Sequence, residues 1–199
     1  MTSTRRGLRA APRFLDPMMA LVERLDRRRR RIRPVHDGSL LGIEERRHRG
    51  AEVLLADGVH VPHGALLWAI HFDNARLSEL GADGWQSRAH AAGRADLVAL
   101  AALLQARDAA QRPIALVGVT MLASLVVRSG FEARDRPQSI WTRLEDWYLR
   151  SLLVRWAPGG RSRLRRGHGP IRSREVWLST AALLRRYASG SAPASGPPA

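Results

Sequence analysis

Residues 53–73 read Val53-Leu54-Leu55-Ala56-Asp57-Gly58-Val59-His60-Val61-Pro62-His63-Gly64-Ala65-Leu66-Leu67-Trp68-Ala69-Ile70-His71-Phe72-Asp73. Two short β-prone runs flank Ala56-Asp57-Gly58, and Asp-Gly in that setting predicts a hairpin. Pro62-His63-Gly64 turns the chain again, and residues 65–73 predict a third strand. Alternation puts Leu66, Trp68, Ile70 and Phe72 on one face of that strand, the expected core face. Leu67, Ala69, His71 and Asp73 share the other.

Beyond Asn74 the pattern becomes helical. A short helix is predicted over 75–80, and a longer one over about 86–111 with Leu97, Leu100, Ala101 and Leu104 at helical spacing. Gly93 weakens its first turns, and Pro113 ends it. A buried strand follows at 114–119. Thr120 can cap a helix over 121–129, with Leu122, Leu125 and Val126 inward and Gly130 as its stop. Phe131-Glu132-Ala133 predicts a short strand. Residues 138–156 predict a helix with Ile140, Leu144, Trp147 or Tyr148, and Leu152 sharing a face. A Gly/Arg-rich loop at 157–170 leads to a last strand, Val176-Trp177-Leu178, and Ser179 caps a helix over 180–187. Upstream, Asp16-Pro17 reads as N-cap and first helical residue, with Met18, Leu21, Val22 and Leu25 as one stripe. Pro34 and Asp37-Gly38 mark an irregular connection. The expected fold class is α+β, a small hairpin-led, mostly antiparallel sheet packed by several helices.

The chain has 199 residues, 45% of them apolar, which suits one domain with a real core. That domain is expected over 14–188, between a basic arm at 1–13 and a tail at 189–199. The tail holds only Ser, Gly, Ala and Pro and has nothing to bury. No cysteine is present, so disulfides, thiolate metal sites and cysteine nucleophiles are excluded.

All 33 basic residues are arginine, set against 18 acids for a net charge of +15. Residues 1–50 are net +8, residues 51–150 net −1 and residues 151–199 net +8. A neutral body with two basic ends points to an anionic partner: nucleic acid, acidic lipid or acidic polymer. A solvated basic surface that only aids solubility is the plain alternative. The candidate contacts are Arg28, Arg29, Arg30 and Arg31 in the first run, and Arg161, Arg163, Arg165 and Arg166 in the loop.

The apolar run at 97–104 is far shorter than the ~20 residues a membrane span requires. Arg5, Arg6, Arg9 and Arg13 resemble a signal n-region, but the apolar stretch at 18–22 is short and Glu23 follows. A cytoplasmic location is expected, with peripheral contact at the inner membrane face open. The helix bearing Trp141, Trp147, Tyr148 and Trp156 also carries Arg143, Arg150 and Arg155. Core packing is the expected use of its aromatics, and a lipid interface is the rival reading.

His71 and Asp73, two apart on a strand, point to one side and are the candidate catalytic pair, a carboxylate orienting an imidazole. The competing reading makes Asp73 or Asn74 the cap of the next helix. Asn74 is also a candidate binding residue. His60, His63 and His71 invite zinc, but no fourth ligand has convincing spacing, and no metal or cofactor is expected. Thr120 reads as a helix cap rather than a phosphate binder, because Gly118-Val119-Thr120 lacks a glycine-rich loop.

Four segments in order carry a resemblance. They are Phe14-Leu15-Asp16-Pro17; Ile70-His71-Phe72-Asp73-Asn74-Ala75-Arg76-Leu77; Val117-Gly118-Val119-Thr120-Met121-Leu122 with Ser129-Gly130-Phe131; and Val176-Trp177-Leu178-Ser179 ending at Leu184 and Tyr187. Their order and spacing over residues 14–187 resemble the YkoP-like proteins of Gram-positive and related bacteria. Such proteins look like short stand-alone chains or the carboxyl-terminal part of polysaccharide deacetylases, and the resemblance implies a cell-envelope setting. Thr180 departs from the basic residue that family members tend to place after the serine matching Ser179. Phe72-Asp73-Asn74 superficially resembles a deacetylase metal motif, but the second acid and a His-x3-His are missing.

The expected function is therefore a non-catalytic accessory role in envelope polysaccharide metabolism, binding acidic lipid or glycopolymer through the Arg-rich ends. An enzyme using His71 and Asp73 on an envelope sugar derivative is one alternative. Nucleic-acid binding is the other, although no helix-turn-helix, zinc finger or paired-aromatic RNA-binding motif is present.

Overall fold

A computed structural model describes residues 24–25, 27–80, 84–156 and 172–188, without the side chains of Ser78, Trp141 and residues 152–156. The chain divides into two units, residues 1–32 and 33–199. In the first, residues 24, 25 and 27–29 are helical and Arg31 takes a left-handed φ of 54°. The expected helix start at Asp16-Pro17 lies outside the described residues.

The second unit is built on β5 (Leu66–Phe72). It pairs antiparallel with β2 (Leu41–Arg47) and parallel with β6 (Ala115–Thr120). With β1 (Arg33–Pro34), β7 (Glu132–Asp135) and β8 (Arg174–Ser179), the six-stranded order is β1-β2-β5-β6-β8-β7. Every pairing except β5 with β6 is antiparallel. The expected hairpin forms from β3 (Val53–Leu54) and β4 (His60–Val61), with Gly58 at φ 83° where a side chain would be strained.

Both faces of β5 are covered. Trp68 and Ile70 join Leu41, Ile43, Leu116, Val176 and Leu178 beneath two helices, α2 (Trp85–Gln105) and α5 (Thr180–Tyr187). These supply Leu97, Leu100, Ala101 and Leu104, and Leu183 and Tyr187, respectively. Each fully buried aliphatic side chain contributes roughly 1.5–3 kcal/mol. On the opposite face Leu67, Ala69, Ala115, Val117 and Trp177 lie under Leu55 and Val61 of the hairpin. Asp57 at the hairpin turn accepts hydrogen bonds from Ser179 Oγ (2.5 Å) and from Arg185 (3.3 Å). Ser179 Oγ also accepts from the Ala182 amide at 2.8 Å, so it caps α5 while holding the hairpin.

β2 falls in a stretch for which the sequence carried no expectation, because Glu44-Glu45-Arg46-Arg47 hides its strand character. Three expectations need correction. The long helix stops at Gln105, and a separate 3-10 turn, Ala109–Gln111, precedes Pro113. Asp108 accepts from the Ala110 amide and starts that turn. Thr120 ends β6 and accepts from the Leu122 amide at 2.9 Å, while Leu122 is the N-cap of the short α3 (Ala123–Val127). Last, α4 (Ile140–Trp156) turns its apolar stripe outward. Ile140 is 80% exposed, Leu144 54% and Trp147 67%, whereas Thr142 and Asp146 are buried. Hydrogen bonding sets that orientation, since both buried residues are tied to chain on either side of the helix.

Candidate functional site

His71 sits at the end of β5, diagonal to Glu44 on β2. Its Nε2 lies 2.9 Å from Glu44 Oε2, and both side chains are partly buried. Asp73 is the N-cap of α1 (Asn74–Glu79), its Oδ1 accepting from the Arg76 amide at 3.1 Å, and Asn74 is the first residue of that helix. Glu44 is thus a carboxylate partner of the imidazole that sequence reasoning missed, because its strand was not recognised. A pair of this kind can fix an imidazole tautomer. The other histidines considered for zinc are held elsewhere: His60 by Glu52 at 3.1 Å and His63 by the Gly50 carbonyl at 3.4 Å. Among the described residues no three His, Asp or Glu side chains converge on one point.

The two arginine runs divide. Arg28, Arg29, Arg30 and Arg31 are all exposed. Arg161, Arg163, Arg165 and Arg166 lie outside the described residues, as do the side chains of Trp141, Arg155 and Trp156.

A third group of arginines is brought together by the fold. Ser139 precedes α4 and its Oγ accepts from the Thr142 amide at 3.1 Å, while Thr142 Oγ1 accepts from the Ser139 amide at 2.9 Å. This reciprocal cap, strengthened by Thr142 Oγ1 donating to the Pro137 carbonyl at 2.8 Å, fixes the helix start. One turn on, buried Asp146 accepts from the Ser173 amide (3.0 Å) and the Ser173 hydroxyl (2.5 Å). Arg136 closes the frame by donating to Ser173 Oγ at 3.0 Å and Glu145 at 2.7 Å.

Docking residue 173 onto α4 places Arg172 in one cleft with Arg143 and Arg150. Together with Gln138, Ser139, Ile140 and Asp146, these arginines line an open cleft of about 590 Å³. That volume is in the range of small-ligand sites. Three arginines and one carboxylate are among the lining residues, and that carboxylate accepts two hydrogen bonds from Ser173. Guanidinium forks match phosphate and carboxylate oxygens, and the amino end of the 17-residue α4 adds positive potential. The cleft is therefore suited to an anion. The missed signal was available only in part: Arg143 and Arg150 stand about two helical turns apart on one flank, but nothing local links them to Arg172.

A smaller apolar cavity of about 40 Å³ lies between α2 and the sheet, lined by Ile70, Phe72, His90, Gly93, Gly118 and Phe131 among others. His90 Nδ1 is buried there without a hydrogen-bond partner among the described residues.

A family model described as the YkoP domain matches residues 13–187, a span that takes in every strand and helix from β1 to α5. No curated protein and no solved structure matches the chain. Three of the four motif segments fall at strand-to-helix junctions on one unit: β5 into α1, β6 into α3 and β8 into α5. With the family model covering most of its length, the chain belongs to the YkoP domain family.

Proposed function

We propose that this YkoP domain is a non-catalytic accessory module of the cell envelope that binds phosphate or carboxylate groups of an acidic lipid or glycopolymer. The observation that supports this reading is the cleft of Arg143, Arg150 and Arg172, whose lining carboxylate, Asp146, is engaged by Ser173. The basic ends of the chain add long-range attraction for the same ligands. The envelope setting rests on the family's resemblance to proteins joined to polysaccharide deacetylases. Among the described residues no helix is long and apolar enough to cross a membrane, so contact with a bilayer would be peripheral.

The test is affinity for a soluble linear polyphosphate, measured by competition against a labelled chain. The Arg143→Gln/Arg150→Gln/Arg172→Gln variant should bind at least tenfold more weakly, as expected for three lost charge-assisted contacts. Equal binding by the variant would discard the cleft. Tighter, steeply salt-dependent binding to a DNA duplex than to polyphosphate would favour the nucleic-acid reading. A catalytic reading is favoured by one observation, the His71–Glu44 pair. Its test is turnover of acetylated envelope sugars by the native chain and by His71→Gln.

A further inference from the structure

The outward stripe of α4 adjoins the arginine cleft, and the proposal that follows rests on the anion-binding reading of that cleft. A surface helix ordinarily buries its apolar stripe and turns polar residues to water. Here Ile140, Leu144 and Trp147 stand 80%, 54% and 67% exposed, while Thr142 and Asp146 are inside. At 100° per residue the three apolar positions fall within roughly 60° of one another, and Arg143 and Arg150 lie along one flank. Arg172 rises beside that flank from the chain preceding β8. Glu145, on the far side, is paired with Arg136 at 2.7 Å.

We infer that the Ile140–Leu144–Trp147 ridge enters the interface of an anionic bilayer while Arg143, Arg150 and Arg172 hold headgroup phosphates. Exposed apolar side chains flanked by arginines are the pattern of a helix that lies in the interface of an anionic bilayer. Tryptophan and arginine are both comfortable at the headgroup level, where the ring bridges apolar and wet layers and the guanidinium stem can extend to phosphate. A second copy of this chain is a poorer partner, because a self-complementary contact at this face would bring two sets of arginines together. An anionic membrane removes that repulsion.

Because the chain has no cysteine, Leu144→Cys can carry a single environment-sensitive fluorophore, with Gln105→Cys on α2 as the control site. The full chain is mixed with vesicles of phosphatidylglycerol in phosphatidylcholine, with pure phosphatidylcholine vesicles, and with soluble polyphosphate. The probe at 144 should shift to the blue and be quenched by lipid-borne quencher only on the anionic vesicles; the probe at 105 should not. Leu144→Ser/Trp147→Ser should lose vesicle binding at least tenfold yet keep polyphosphate affinity, whereas each arginine-to-glutamine change should weaken vesicle partitioning by about fivefold. Both ridge residues are exposed, so circular dichroism should report an unchanged fold. Ridge variants that bind vesicles like the native chain, or a probe at 144 that stays in water, would overturn membrane insertion while leaving the anion cleft intact. Ridge-dependent dimerisation in sedimentation would overturn it in favour of a second copy. Failure of the native chain to bind polyphosphate as well as vesicles would instead remove the anion-binding reading itself.

Discussion

Asp96 shows what a single residue contributes that periodicity does not reveal. It interrupts the buried, apolar face of α2 one position before Leu97, and nothing in the sequence marks it. In the fold it is buried, with Oδ2 accepting from the amides of Leu40 (2.8 Å) and Leu41 (2.9 Å) and Oδ1 lying 2.8 Å from His36 Nε2. It thereby starts β2. Burial pushes its carboxyl above the usual range, against the pull of those hydrogen bonds. Asp96→Ala leaves two buried amides without acceptors and should cost about 2–4 kcal/mol in urea unfolding. Asp96→Asn keeps an acceptor for the amides and should cost much less. His36 is raised above its ordinary 6.5, first by its hydrogen bond to the Asp37 carbonyl and, against desolvation, by Asp96. A raised histidine stabilises the fold fully below pH 6.5 and loses that contribution as pH climbs through the raised value. Urea midpoints measured across that window should fall for the native chain, and the fall should shrink in His36→Gln.

Asp57 has the opposite sign. Burial raises its carboxyl, but hydrogen bonds from Ser179, the Val59 amide and Arg185, with the Arg185 charge, outweigh burial and leave it below its ordinary 3.8. Its contribution is present above pH 3.8 and lost as pH falls through the lowered value. Asp57→Asn should therefore unfold at lower urea than the native chain at neutral pH, with the gap narrowing in acid. The Asp-Gly turn was legible from sequence; its tether to Ser179, 122 residues away, was not.

At the scale of elements, legibility followed local chemistry. The hairpin, β5, β6 and β8 declare themselves through turn residues and apolar runs. β2 does not, because four of its seven residues are charged and its partners are set by β5. In α4 the period was readable but its direction was not: the apolar stripe predicts the inner face only when no polar residue has a better partner inside, and Thr142 and Asp146 do. Trp147→Ser should accordingly change stability by no more than about 0.5 kcal/mol, against about 2–5 kcal/mol for Leu100→Ala in the core, as read from thermal melts. Gly93 lies inside α2 beside the small apolar cavity, and a Cβ there meets nothing within 4 Å. Gly93→Ala should raise stability by about 0.5–1 kcal/mol through helix propensity and reduced unfolded-state entropy. A loss on that substitution would mean that the cavity needs its space.

Over the whole molecule, arginine exceeds acid by 33 to 18, and many of the acids are already paired. The acids of the second unit are largely engaged at home: Glu45 with Arg107, Glu132 with Arg134, Glu145 with Arg136, Asp135 with Arg174 and Asp57 with Arg185. Residues 51–150 are net −1 by composition, so the excess of arginine over acid belongs to residues 1–50 and 151–199. Composition made the surplus legible and located it at the chain ends. It could not show that Arg172, within the second basic end, is carried to α4 by the bond between Ser173 and Asp146.

Arginine modification by phenylglyoxal, mapped peptide by peptide with and without bound polyphosphate, reads that arrangement directly. Arg143, Arg150 and Arg172 should become protected together at one polyphosphate concentration, while exposed Arg46 and Arg128 remain reactive. Uniform protection of all five, or protection that spares the three, would contradict an anion site at this cleft.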